Sequence, residues 1–329
     1  MSMFRISQAG AKGFGVFATQ PIARGTRIIA DRILLSVDNR DTSVLRAAAR
    51  LSPDDLQGLL SLSMNNAKRQ SLSYLATAVS GSFPSLGSIR QRRDLLNIFY
   101  NNNFALSGPN GKRAVFQTVA RLNHSCVPNA QGNLNAALPG SQFTIHALRE
   151  IAEGEEITIS YLHNELEVRQ ERQKWLHEGY GFECACEICS INNHHPPGER
   201  HEQSHQRRLK IQQMLSDFSG RGSTADGISR ELEATKAVID TYEQEGLAGR
   251  ELASLYFAAA GLATELGHTK EASDLGAKGL RVEQDAVGVD SPFYIASLSA
   301  SRQGQFAGNR LVRDQVDASS SGLSYEPWM

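Results

Sequence analysis

Cys184, Cys186 and Cys189 form a C-x-C-x-x-C cluster, and Cys126 lies far upstream. Thiols this close cannot easily pair with one another, because a disulfide needs a set separation and direction between its Cα atoms. They can occupy three corners of a tetrahedral zinc ion and leave the fourth to a distant thiolate. That reading requires residue 126 to sit beside residues 184–189 in the fold. Its rivals are three exposed thiols with one buried one, or ligation by the His194–His195 pair just downstream. A second group is polar and aromatic. Asn123 and His124 offer donors and acceptors to a ligand, against the plainer reading of an Asn-His turn. Gly13 and Gly15 let backbone approach a ligand closely, although G-x-G alone is a turn signal. Alternation along Ile157-Thr158-Ile159-Ser160-Tyr161 puts Ile157, Ile159 and Tyr161 on one face and aims the phenol into an apolar interior. An unpartnered hydroxyl is costly there, so it either bonds backbone or serves chemistry.

The elements that must position these groups alternate in texture. Residues 4 to 36 read as strands broken by glycine turns, with Gly13 to Ala18 and Thr26 to Val37 rich in Val, Ile and Phe. From about 41 to 99 the pattern is helical, with Ser52-Pro53-Asp54-Asp55 as one start and Ser88 as another cap. Residues 114 to 162 return to strands, with turns at Pro139-Gly140-Ser141 and Glu153-Gly154-Glu155. Asn164, with Glu167 three residues on, opens a further helix that Gly179 stops. Residues 190 to 204 read as a linker, and everything beyond is helical. Leu252 to Leu280, broken at Leu266-Gly267-His268, resembles a tetratricopeptide helix–turn–helix. The tail from Asp317 is expected to be loosely ordered.

The 329 residues allow one large domain and a smaller one. A net charge of −1 and a pI near 6.8 give no whole-chain footprint for duplex nucleic acid. The start has no apolar h-region. The longest uncharged apolar stretch, Leu252 to Thr264, is shorter than the roughly 18 residues that span a bilayer. An intracellular protein, nuclear or cytoplasmic, is expected, and there thiols and metal ligands are commoner than disulfides. Glu231, Glu233, Asp240, Glu243 and Glu245 suggest an acidic face for a basic tail, against a solvated helix surface.

Four motifs, in order, resemble those of the SET-domain protein lysine methyltransferases. They are Lys12-Gly13-Phe14-Gly15-Val16-Phe17-Ala18, Asn123-His124-Ser125-Cys126-Val127-Pro128-Asn129, Gly154-Glu155-Glu156-Ile157 running to Tyr161, and the cysteine cluster. The resemblance covers about residues 1 to 190. Tyr180-Gly181-Phe182-Glu183-Cys184 is similar to the post-SET segment of the SET and MYND group, yet no cysteine-rich MYND finger interrupts residues 36 to 99. The chain thus looks like the MYND-less SET proteins common in fungi.

The resemblance implies an α+β fold: a SET β-fold of small sheets with a knot-like C-terminal segment, a helical insert at about 38–99, a zinc-bound post-SET loop and a helical, tetratricopeptide-like C-terminal domain. The implied boundaries are 1–163, 164–190, a linker at 191–204, 205–316 and a flexible tail at 317–329. It implies S-adenosylmethionine as cofactor, gripped by Lys12, Gly13, Phe14, Gly15, Asn102, Asn123, His124, Tyr161 and Phe182. Asn102 enters through Asn102-Asn103-Phe104, one register of three consecutive asparagines. Tyr161 and Tyr180 are the implied catalytic residues, and Cys126, Cys184, Cys186 and Cys189 the ligands of one structural Zn2+. The implied partner is a protein carrying a target lysine, a histone tail or another protein, met by a monomer that binds neither membrane nor specific nucleic-acid sequence. Two alternatives are a SET enzyme acting on a non-histone protein or small metabolite, and a non-catalytic scaffold using its helical tail.

Overall fold

Glycine turns and caps set the order of elements in the computed structural model, which describes residues 2–38, 41–106, 112–190, 199–218 and 225–304. The His194–His195 pair and the tail from residue 317 lie outside the described residues, as does the expected linker up to residue 198. Strands β1 (Phe4–Gln8), β2 (Phe14–Ala18), β3 (Arg27–Arg32) and β4 (Leu35–Val37) come first. Helices α1 (Asp41–Ala48), α2 (Pro53–Leu60), α3 (Leu72–Val79) and α4 (Ile89–Asn102) form the insert. Strands resume with β5 (Phe104–Ala105), β6 (Arg113–Val115), β7 (Asn123–His124), β8 (Ala130–Asn135), β9 (Gln142–Ala147) and β10 (Glu156–Ile159). Helix α5 (Arg169–Tyr180) follows, then α6 (Glu199–Phe218), α7 (Ala225–Glu245), α8 (Arg250–Glu265), α9 (Thr269–Val287) and α10 (Pro292–Arg302).

The caps behave as their residue types dictate. Ser52 accepts from the Asp55 amide with Pro53 in the first turn, and Ser88 with Gln91 closes a reciprocal capping box. Two expectations are corrected. Asn164 does not open a helix: its Oδ1 accepts from Leu166 N and its Nδ2 donates to Glu167 Oε1, a local turn that competes with helix. Helix α5 begins only at Arg169. Gly179 does not stop it either; it is buried inside α5, its carbonyl accepting from Asn65 Nδ2, and Gly181 at φ 77° ends the helix in the left-handed conformation. The helical region also starts at Glu199, earlier than the expected 205.

The strands make three small sheets, ordered β1-β2-β10-β7, β3-β9-β8 and β4-β6-β5. Strand β10 runs antiparallel to β2 and parallel to β7, so it joins the glycine segment to the Asn123–His124 segment. Val16, Phe116, Phe143 and Ile157 help to fill the core between the first two sheets, while the insert packs a core of its own around Leu45, Leu96 and Phe99. The C-terminal helices share another core, and α8 and α9 form a hairpin whose turn holds Gly267 at φ 76°. They are tied back to the sheets. Asn133 Nδ2 donates to Ala286 O, Gln131 meets Glu251 and the Arg250 amide, and Arg24 pairs with Asp285. No described helix is long and apolar enough to cross a membrane. The acidic residues of α7 do not form one face. Glu245 is buried against Arg207 and Arg208, Glu243 accepts from the Tyr256 hydroxyl, and Glu233 pairs with Lys236.

Candidate active site and metal centre

Helix α5 builds the metal centre by clamping the loop after it. Gln173 donates to Cys184 O at 2.7 Å and accepts from Cys184 N at 2.8 Å, and Arg169 Nε donates to Cys189 O. The loop then turns on itself, Cys189 N and Ser190 N both donating to Cys186 O. Cys126 arrives from the segment after β7 and completes the group, as the spacing argument required. The four Sγ atoms lie within 4.8 Å of one another. Cys126 Sγ is 3.8 Å from Cys184 Sγ and 3.5 Å from Cys189 Sγ. A tetrahedron of Zn–S bonds near 2.3 Å has edges of about 3.8 Å, so the set fits a structural zinc ion and not a disulfide. Arg172, almost fully buried, donates from Nη2 to Cys189 Sγ, a positive charge placed where four thiolates and a dication would leave net negative charge.

His124 links this centre to Tyr161. Its Nδ1 accepts from Tyr161 N at 3.0 Å and its Nε2 lies 3.3 Å from Cys126 Sγ, which places the proton on Nε2. Burial pulls its pKa down to about 3, so the ring is neutral. Both ring nitrogens are therefore engaged inside the protein. The ring nitrogens are committed to Tyr161 and Cys126, which orients the ring against Tyr161.

The Tyr161 hydroxyl donates to Leu122 O at 2.5 Å, and Trp175 Nε1 donates to Tyr161 O. Its ring lies 4.8 Å from Tyr180 and 6.4 Å from Phe182, with His124 at 5.4 Å. Burial, then Glu156, pushes the Tyr161 phenol well above its ordinary pKa, and burial does the same to Tyr180. Both stay protonated near neutrality, so neither is a phenolate base; they line an aromatic site with hydroxyl groups.

The polar half of the site centres on Glu156. Its Oε2 pairs with Lys12 Nζ at 2.7 Å and its Oε1 accepts from Asn123 Nδ2 at 2.7 Å. Asn123 Nδ2 also donates to Phe14 O, and its Oδ1 has no partner among the described residues. A Cβ on Gly15 would meet Glu156 Oε1 at 2.7 Å and Asn123 Nδ2 at 3.0 Å. Gly15 thus makes room for these two side chains. Gly13 differs: φ is 79° and nothing lies within 4 Å of its Cβ position, so it faces open space. Phe14 is exposed and holds the Arg121 guanidinium at 5.6 Å.

Asn102 is buried, its Nδ2 donating to Ser63 O and Ile98 O at 2.7 Å each, with Oδ1 unpartnered among the described residues. Asn103 is committed to Phe99 O, Tyr100 O and Arg113. Of the two, only Asn102 keeps an acceptor for a ligand. Glu156, Asn129 and Arg172 were not singled out from sequence. Asn129 accepts from Thr158 N and donates to Glu155 Oε1 and Glu156 O, pinning β10 beside β7. The signals were present: Asn129 closes the N-H-S-C-x-P-N motif and Glu156 is the second glutamate of G-E-E.

Residues 13–162 match the family model described as SET domain. The histone-lysine N-methyltransferase set5 of Schizosaccharomyces pombe is 30% identical over 57% of this chain and 51% of its own length. The histone-lysine N-methyltransferase SMYD1 of Homo sapiens is 38% identical over 27% of this chain and 20% of its own. This chain therefore spans about half the length of the first relative and a fifth of the second. A crystal structure of the SET domain of LSMT bound to lysine and AdoHcy aligns over 97% of this chain and 86% of that one, at 13% identity and a TM-score of 0.41.

Proposed function

We propose that this chain, whose residues 13–162 match the SET domain model, is an S-adenosylmethionine-dependent protein-lysine N-methyltransferase. One observation carries the reading: Asn123 Oδ1, partnerless among the described residues, lies on β7, and the Tyr161 hydroxyl lies just past the end of the adjoining β10, the two segments held together by Glu156, Asn129 and His124. The names of the two relatives, both histone-lysine N-methyltransferases, support it.

Bound S-adenosylmethionine would supply a sulfonium methyl for displacement by an amine. Asn123 Oδ1 and Asn102 Oδ1 would accept from its ammonium or adenine N–H groups, Lys12 and the Gly13–Gly15 turn would line its polar end, and Phe182 would cover its adenine. The attacking lysine nitrogen must be neutral. Walls made of Tyr161, Tyr180 and Phe182 disfavour ammonium by desolvation. Tyr161, kept protonated and tied to Leu122 O, orients the methyl and amine rather than removing a proton. Tyr180 would shape the lysine slot.

We further read residues 1–163 as the SET unit with its insert, 164–190 as a zinc-bound post-SET element, and the helices from 199 onward as a tetratricopeptide-like domain. The segment after β10 would thread beneath the loop carrying Asn123, giving the knot-like connection. Protein substrates, histone tails among them, would be met in the nucleus or cytoplasm. A second reading has one observation behind it: a hydroxyl bonded to backbone, as in Tyr161, is also what a purely packed tyrosine shows, which would suit a scaffold. Labelled cofactor and a peptide array separate the two. Cofactor binding with methyl transfer to lysine peptides supports the enzyme; binding of neither cofactor nor peptide overturns it.

A further inference from the structure

A cavity of about 370 Å³ lies where the strand leading into Tyr161 meets the helical domain. Ser160 and Leu162, the chain neighbours of Tyr161, are among its walls, and Phe104 and Phe143 supply aromatic surface. Two carboxylates face it from different elements: Glu165 just after the Tyr161 strand, and Glu251 in the first turn of α8. Glu165 Oε2 is sealed from solvent and has no hydrogen-bond partner among the described residues. Glu251 Oε2 accepts from Gln131 Nε2 at 3.2 Å, a neutral donor. Tyr242 also lines the cavity and is only 7% exposed, yet its hydroxyl makes no hydrogen bond among the described residues.

The surrounding cations are engaged mainly elsewhere. Arg207 and Arg208 meet Glu245, Arg208 also donates to the Glu165 carbonyl while its buried Nη2 has no hydrogen-bond partner among the described residues, and Arg250 lies 3.7 Å from Glu283. Burial, then the neighbouring Glu251, pushes the Glu165 carboxyl up to about 8 against the opposing pull of Arg208 and the Ser160 hydroxyl. A buried carboxylate left without a full partner is costly, and a desolvated cation would relieve that cost.

We propose that this cavity receives an arginine side chain of the protein substrate, close in sequence to the target lysine, with Glu165, Glu251 and the Tyr242 hydroxyl as its partners. The proposal rests on the methyltransferase reading and narrows its substrate class. Guanidinium fits better than ammonium. Its planar fork can reach carboxylates from two elements at once, and its face stacks on rings such as Phe104, Phe143 and Tyr242. The cavity joins the Tyr161 strand to α8, so an occupant would be anchored by both the sheets and the helical domain.

The test walks one arginine through the positions flanking a single lysine in otherwise neutral peptides, against the same peptides with citrulline, which keeps the shape and removes the charge. The expected result is one or two positions where arginine lowers KM by about 10- to 100-fold over citrulline, an advantage lost in Glu165→Gln and in Glu251→Gln. No positional advantage of arginine over citrulline overturns the proposal, with or without folded variants. An advantage that persists in both folded variants overturns it as well. If no peptide is methylated, the methyltransferase reading fails and the cavity is judged by calorimetry with agmatine on the full chain. Saturable agmatine binding that Glu165→Gln loses supports a guanidinium site, and no binding overturns it.

Discussion

Replacing Gly15 by alanine should loosen the polar half of the site without touching the aromatic half. The new Cβ would stand 2.7 Å from Glu156 Oε1, 3.0 Å from Asn123 Nδ2 and 3.1 Å from Ala9 Cβ. Carbon cannot approach a carboxylate oxygen that closely, so Glu156 must rotate. Its Oε1 is the acceptor of the 2.7 Å bond from Asn123, and Oε2 is held by Lys12. A hydrogen bond to a charged group contributes about 1.5–3 kcal/mol, and here solvent offsets part of the loss because the Glu156 side chain is 18% exposed. A net loss of about 1–2 kcal/mol follows, and S-adenosylmethionine affinity should fall by about 10-fold as Asn123 Oδ1 swings away. Gly13→Ala is the control. Its cost is backbone strain at φ 79°, about 1–2 kcal/mol, with open space around the Cβ and no push on Asn123. Thermal melts should show both variants destabilised, whereas calorimetric titration should show the larger affinity loss in Gly15→Ala. A Gly15→Ala protein that binds cofactor as tightly as the parent would refute the reasoning.

Other outcomes follow from the same contacts. Purified, reduced protein should carry about one zinc per chain, and Cys186→Ser should release it and weaken cofactor binding through the loop that carries Phe182; metal analysis of the folded parent with no zinc contradicts this. Arg172→Leu removes the buried cation beside Cys189, so zinc transfer to a chromogenic chelator should be at least about tenfold faster, and an unchanged rate contradicts the assigned role. Glu165 holds its proton more tightly folded than unfolded, so its contribution to stability is full below about pH 4.5 and is lost as pH rises through about 8. Denaturant melts should therefore show the parent losing stability relative to Glu165→Gln between pH 5 and pH 8, roughly the interval set by these two pKa values; parallel profiles contradict it.

The legible parts of the molecule were those fixed by short-range chemistry. The C-x-C-x-x-C spacing and the lone Cys126 pointed to one cluster, and Ser52-Pro53 and Ser88 marked helix starts that the structure keeps. Glycines at Gly140, Gly154 and Gly267 marked turns where φ is positive. Misreadings came where other contacts outcompeted a local helix signal. Asn164 and Glu167 looked like a capping box, but their side chains bond each other and the Leu166 amide outside any helix. Gly179 looked like a stop, but Asn65 Nδ2 from the distant insert donates to its carbonyl and the chain turns at Gly181 instead. The inward ring of His124 depends on Tyr161 and Cys126 approaching from opposite sides. The Glu165–Glu251 cavity joins residues 86 positions apart in chain order, by subtraction of their numbers, and no local pattern announces it.

The central claim is that Tyr161 serves methyl transfer. Single-turnover transfer from labelled S-adenosylmethionine to a methylated lysine peptide, compared between the parent and Tyr161→Phe, tests it most directly. The substitution removes the hydroxyl that donates to Leu122 O and keeps the ring against Tyr180 and His124. The account predicts transfer slower by about 10²-fold or more with cofactor affinity nearly unchanged. Transfer as fast as the parent's would contradict it.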